Sequence, residues 1–162
     1  MCEIQDFNPP KTSQFRTSQF RTIPLPRNRR GRRGIMLYNK NNNKILIVLG
    51  REHNKYGIPK GAMEIDDYKH QFPYLYRAYT ELYQETGIFL PIQNLPSVRI
   101  DYKEEYYILE VNQEFDVNPI DKNEISGYKW VTIEEIKKIP NINYGLNYLV
   151  NNITLQSPNF KI

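Results

Sequence analysis

Gly61-Ala62-Met63-Glu64 opens, and Thr80-Glu81-Leu82-Tyr83-Gln84-Glu85-Thr86-Gly87-Ile88 closes, the stretch that decides how this chain is read. Between them, Pro73 suits the first turn of a helix and Gly87 suits the left-handed residue just past a helix end, which predicts a helix over 73–86. On that helix Glu81, Gln84 and Glu85 stand at i, i+3 and i+4, so their side chains converge on one face. Carboxylates gathered that way repel one another unless a cation sits between them. Oxygen donors on one side of a site, with water completing the shell, suit Mg²⁺ or Mn²⁺. Arg77, one turn before Glu81, is placed to orient it or to neutralise part of its charge. The same residues also read as an acidic helix face that is merely solvated.

Upstream, Ile35–Tyr38, the polar turn Asn39–Asn43 and Ile45–Leu49 read as a hairpin, because β-branched and aromatic runs flank a turn cluster. Tyr56-Gly57-Ile58-Pro59-Lys60-Gly61 then leads into the acidic stretch. Downstream, strands are predicted at Val98–Tyr102, Tyr106–Val111 and Gly127–Val131. Thr132 reads as a helix N-cap with Glu135 completing a capping box, and a last helix is expected over Tyr144–Asn152. Strands, a helix, then further strands and helices argue for a mixed α+β or layered α/β domain.

With these elements in place, the stretch resembles the Nudix box, G-x5-E-x7-R-E-U-x-E-E-x-G-U with U aliphatic. Gly61 matches the first glycine, and Asp67 falls where the first acid is expected. Glu81-Leu82 matches the central E-U, Glu85 the last glutamate, and Gly87-Ile88 the closing G-U. The resemblance extends over roughly 34–150: Tyr56–Gly61 is similar to the family's W-G-x-P-K-G segment, and Glu124–Val131 to its E-I-x-x-x-x-W-V segment. There are departures. Thr80 stands where the family has arginine, Gln84 replaces the first member of the glutamate pair, and Gly61 and Gly87 are 26 apart where the pattern has 21. The extra residues are expected within Asp67–Phe72, which leaves Glu64 or Asp66 as alternatives to Asp67. Gln84 keeps a coordinating oxygen but has lost a charge. Thr80 cannot make the arginine's charge contact, and Arg77 is the residue that could cover it.

The resemblance implies a Nudix-type α/β/α sandwich with a mixed sheet and a catalytic loop-helix-loop. It implies Mg²⁺ or Mn²⁺ held by Glu81, Gln84 and Glu85, with Glu81, Glu85 and Glu124 as catalytic residues and Glu81 or Glu124 as the base. Lys60 and Gly61 would lie at the phosphates. The reaction implied is hydrolysis of a nucleoside diphosphate derivative. Ile58–Gly61 and the helix ending Glu85-Thr86-Gly87 are similar to mRNA-decapping members, including those of large DNA viruses. Gly61–Glu64 is similar to diphosphoinositol polyphosphate enzymes, and a dinucleotide substrate or a catalytically impaired nucleotide- or RNA-binding domain stays open.

The remaining composition narrows the class. The chain has 162 residues, 40% hydrophobic and 13% aromatic, enough to close one core. Its one cysteine, Cys2, excludes an internal disulfide framework and a zinc site built from several thiolates. No run of about 18 apolar residues is present, and the first residues lack the pattern of a secretory signal, so a cytoplasmic protein (of the host, if viral) is expected. The net charge of +4 is uneven: residues 1–33 hold eight Lys/Arg against two acids, and the remainder is slightly acidic. Residues 1–33 therefore read as a basic, flexible arm preceding a domain over 34–162. Arg16, Arg21, Arg27, Arg29, Arg30, Arg32 and Arg33 are its RNA-contact candidates, with Phe15 and Phe20 available for stacking. A nuclear-localisation patch or a plain solvated arm fits the same residues. His53 and His70 are expected in solvent, Trp130 in the core rather than under a base, and Tyr74, Tyr76, Tyr79 and Tyr83 in helix packing.

Overall fold

The structure is a computed structural model and describes residues 31–101 and 103–153. Its element order is β1 (Arg32–Asn39), β2 (Lys44–Gly50), β3 (Lys55–Gly57), β4 (Lys60–Ala62), a 3-10 turn (Ile65–Lys69), α1 (Pro73–Thr86), β5 (Ser97–Arg99), β6 (Glu104–Val111), β7 (Ile125–Thr132), α2 (Ile133–Ile136) and α3 (Tyr144–Asn152). The helix over 73–86 has the expected bounds, with Pro73 in its first turn and Gly87 left-handed at φ 71 beyond its end. Thr132 caps α2 and forms the capping box with Glu135. The strand expected to run to Tyr102 ends at Arg99, and Tyr102 lies outside the described residues.

The sheet is mixed, in the order β3-β2-β1-β6-β5, with β4 added on β1 and β7 on β2. β1 and β6 run parallel over the whole of β1. β1 and β2 pair only near their turn, at Tyr38↔Ile45 and Asn39↔Lys44. Beyond that they part: β2 takes β3 as partner, and β1 takes β4. The segment Tyr56–Gly61 thus fills a fork between two diverging strands.

β1 is buried along almost its whole length because both faces of the sheet are covered, as expected of a strand packed on two sides. Ile35, Leu37 and Leu46 pack with Leu75, Ala78, Tyr79 and Leu82 of α1. Met36, Tyr38, Ile45 and Ile47 pack with Ile136, Leu146, Leu149 and Val150 of α2 and α3. The result is a three-layer α/β/α sandwich, and the helix carrying the acidic face is pinned to the sheet by its opposite side. Of the four tyrosines, Tyr79 is core, but Tyr74 is 38% exposed and lies under the Arg33 guanidinium, 4.3 Å from its ring centroid. No helix among the described residues is long and apolar enough to cross a membrane.

Arg32 and Arg33 belong to β1, not to an arm. Arg33 is 7% exposed and pairs with Glu105 at 3.4 Å, so it is not an open RNA contact. The other five arginines named above lie outside the described residues. Leu82 is fully buried between α1 and the sheet. Leu82→Ala is expected to cost about 2–5 kcal/mol of stability, read as a lowered urea midpoint.

Candidate active site

α1 carries Arg77, Glu81, Gln84 and Glu85, and the fork brings Lys60 and Gly61 of β4 to them. β4 runs beneath α1, and a Cβ at Gly61 would fall on the Glu81 carboxylate. Glycine is needed here for close approach, since any side chain would displace the carboxylate. Glu81 and Glu85 are 7% and 8% exposed, and both stand on the helix face that meets β4.

Arg77 is the hub of this face. Its Nε and Nη2 donate to Asp67 Oδ2 and Oδ1 at 2.8 and 2.9 Å, and Nη1 donates to Glu81 Oε1 at 2.8 Å. Glu64 approaches Nη2 at 3.0 Å from the solvent side. A planar guanidinium can serve three carboxylates at once because its donors form a rigid fork. Asp67, 2% exposed, is the acid taken inside, whereas Asp66 is turned outward to Lys69. Thr80 donates its hydroxyl back to the Tyr76 carbonyl and makes no charge contact. The sequence lacks an arginine at position 80, and Arg77 supplies the guanidinium from one turn earlier.

Glu85 is oriented from the sheet side. The Lys60 backbone N–H donates to Glu85 Oε2 at 3.1 Å. The Lys60 ammonium points elsewhere: it donates to Glu104 Oε1 at 2.8 Å and lies over the Tyr106 ring. Tyr106 donates its hydroxyl to Glu104 Oε2 at 2.9 Å. The Lys60 amide thus orients Glu85, while its ammonium pairs with Glu104. Glu104 and Tyr106 were not singled out from the sequence, because they sit on β6, far along the chain, within an ordinary strand pattern.

Glu124, just before β7, is exposed, yet its charge acts on both Glu81 and Glu85. Its own proton affinity is raised, first by partial burial and then by Asp121 and Glu52. Gln84 lies on the same turn of α1, and its backbone carbonyl accepts the N–H groups of Ile120 and Asp121. That ties the loop before Glu124 to α1. Burial pushes the Glu81 pKa up to about 7, against the opposing pull of Arg77. Glu85 is raised well above the usual carboxylate range by burial and by the Glu81 charge.

No family model matches the chain, and no curated protein matches it. Solved structures do. An Ap4A hydrolase of C. elegans shares 17% identity over 74% of this chain and 93% of its own, at a TM-score of 0.55. A MutT NUDIX hydrolase of Burkholderia pseudomallei shares 15% identity over 77% and 98%, at 0.56. The fold is the Nudix fold. A bifunctional NMN adenylyltransferase/ADP ribose pyrophosphatase of Francisella tularensis, complexed with AMP and a Mn ion, shares 14% identity over 75% of this chain and 40% of its own, at 0.56.

In this Nudix fold the acids outnumber the cations. Five carboxylates (Glu64, Asp67, Glu81, Glu85 and Glu104) surround Arg77 and Lys60, and the charge of Glu124 acts on two of them, Glu81 and Glu85. Among the described residues no group of three or more His, Cys, Asp or Glu is gathered at metal-binding spacing. The donor set still fits Mg²⁺ or Mn²⁺, since Mg²⁺ takes one or two carboxylates and completes its shell with water and substrate phosphate. Glu81 and Glu85 each use one oxygen for orientation, through Arg77 and the Lys60 amide.

Two tests follow from this geometry. Gly61→Ala, which forces the Glu81 carboxylate aside, is expected to weaken Mn²⁺ binding, followed by manganese electron paramagnetic resonance, while far-UV circular dichroism stays unchanged. The second concerns pH. In the metal-free protein Glu81 has a folded pKa of about 7 against an ordinary 4.5, so the native state binds more protons between those values. Its contribution to stability is complete below about pH 4.5 and is lost as pH rises through about 7. Urea titrations in a chelator are expected to show that loss, smaller in Glu81→Gln, and Mg²⁺ is expected to offset it.

Proposed function

We propose that the chain is a metal-dependent hydrolase that cleaves a diphosphate linkage in a nucleoside diphosphate derivative, with the mRNA 5′ cap as substrate. The observation that carries the hydrolase reading is the buried Glu81–Glu85 pair, each glutamate oriented by a separate donor. Mg²⁺ or Mn²⁺ held by Glu81 and Glu85 would supply Lewis acidity at phosphorus and an activated water. Arg77 holds Glu81 in place, and the Lys60 amide does the same for Glu85. Glu124 is the base favoured by its setting: it is exposed enough to exchange protons, and its charge acts on both Glu81 and Glu85. Glu81, with one oxygen bound to Arg77, is the less free of the two candidates.

The cap is supported by the similarity of Ile58–Gly61 and the Glu85-Thr86-Gly87 helix end to decapping members, and by the basic N-terminal segment, which suits a long phosphate backbone. A dinucleoside polyphosphate is the second reading, favoured by the fold match to a protein named as an Ap4A hydrolase. Gln84, one carboxylate fewer, favours a third, a nucleotide-binding domain with weakened catalysis.

Cap-labelled RNA with Mg²⁺ or Mn²⁺ is expected to release a methylated guanosine diphosphate. Glu85→Gln is expected to lower the rate by about 10²–10³-fold, the order seen when a group stabilising transition-state charge is deleted. Release from diadenosine tetraphosphate but not from cap would shift the reading to the dinucleotide. A large gain from Gln84→Glu would mark a weakened site.

A further inference from the structure

β4 presents consecutive residues to opposite faces of the sheet. Gly61 stands across from Arg33 and faces α1, whereas Lys60 stands across from Gly34, on the face that Met36 and Tyr38 share with α2 and α3. Gly34 is paired with Lys60 on one side and with Tyr106 on the other. A Cβ at Gly34 would run into the Pro59 carbonyl and the Lys60 Cβ. The Lys60 stem therefore reaches β6 across a stretch of β1 that carries no side chain.

At the end of that stem the ammonium meets an acceptor fixed from several sides. Nζ donates to Glu104 Oε1 at 2.8 Å and lies 5.6 Å from the Tyr106 ring centroid. Tyr106 fills the other carboxylate oxygen, donating to Oε2 at 2.9 Å, and the Glu104 backbone N–H donates to Asp101 Oδ1 at 3.0 Å. Arg32 approaches Glu104 Oε1 only at 3.9 Å. α3 closes over the pair: a Cβ at Gly145 would run into the Tyr106 hydroxyl and the Glu104 carboxylate. The Lys60 and Glu104 side chains are 12% and 13% exposed, so water competes little for their bond.

The other place open to this ammonium is the glutamate pair. Glu85 Oε2 lies 3.1 Å from the backbone nitrogen of Lys60 itself, within the compass of a flexible four-carbon stem. An ammonium on Glu85 would fill the position a divalent cation needs. Glu81 receives a charged donor from Arg77, whereas Glu85 receives only a neutral backbone N–H.

We propose that Glu104 is a positioning residue: it holds the Lys60 ammonium on the α3 face, so that Lys60 serves Glu85 through its backbone N–H alone and the Glu81–Glu85 pair stays open to a divalent cation. This rests on reading that pair as the metal site. In this role Glu104 acts through Lys60 and touches no metal.

The test is a double-mutant cycle on the full chain, read as Mn²⁺ affinity by manganese electron paramagnetic resonance, with far-UV circular dichroism as the check on folding. Glu104→Gln keeps an acceptor for Lys60, and the Tyr106 hydroxyl can turn to accept from the amide, so the change is one of charge. It is expected to weaken Mn²⁺ binding about tenfold, the order expected when a group behind a metal ligand is altered. In the Lys60→Met background the same substitution is expected to leave the affinity of that background unchanged. Tyr106→Phe deletes the hydroxyl support and keeps the charge pair. It is expected to act in the same direction by a smaller factor, again only while Lys60 is present. A loss that is equal in both backgrounds gives Glu104 a structural role alone and overturns the proposal, as does Glu104→Gln binding like wild type. In either case Mn²⁺ binding by the wild-type chain leaves the metal reading intact, and its absence from the wild type overturns both. A Glu104-dependent site on a chain that hydrolyses neither cap nor diadenosine tetraphosphate upholds the proposal and overturns the hydrolase reading.

Discussion

Two glutamates held one turn apart on a buried helix face repel each other, and the surrounding structure is arranged around that repulsion. Burial alone would neutralise them, as the raised proton affinities of Glu81 and Glu85 show. Arg77 counters part of the charge from within the helix, and the Lys60 amide counters part from the sheet. The second contact depends on the fork between β1 and β2, since a strand laid into that fork brings Lys60 and Gly61 under α1. A divalent cation would displace those protons and supply the countercharge the pair lacks.

Arg77 shows how a charge contact can be relocated along a helix. Moving a guanidinium from position 80 to position 77 changes its angle around the helix by three residues, so it cannot meet the same partners unless they move as well. The longer segment before α1 does this: its 3-10 turn folds Asp67 inward, where it accepts two of the Arg77 donors. Asp67 would be costly to bury without the guanidinium, and the guanidinium would lack its bidentate partner without the turn.

β4 serves both faces of the sheet at once. Gly61 meets the acids on α1, while Lys60 sends its ammonium to Glu104 on the α3 side. The loop after β6 completes the α1 side by bonding its backbone to α1 and leading into Glu124.

Local patterns in the sequence determined much of this. Pro73 and Gly87 bound α1, Thr132 and Glu135 start α2, and the i, i+3, i+4 spacing put Glu81, Gln84 and Glu85 on one face, because capping and helical periodicity act within a few residues. Relations across the chain were settled by tertiary packing alone. Among three nearby acids, only the 3-10 turn selects Asp67 for burial. The Lys60 ammonium turns to Glu104 because β6 lies parallel to β1 and brings that carboxylate beside β4. Arg33, read as part of a basic arm, is enclosed because it extends β1 and meets Glu105 and Tyr74. Trp130 packs against the α1-side core yet is only partly buried, because β7 is an edge strand. In each case the deciding partner is distant in sequence, and partner choice over that range depends on the register of strands and the burial of charge, which no local spacing encodes.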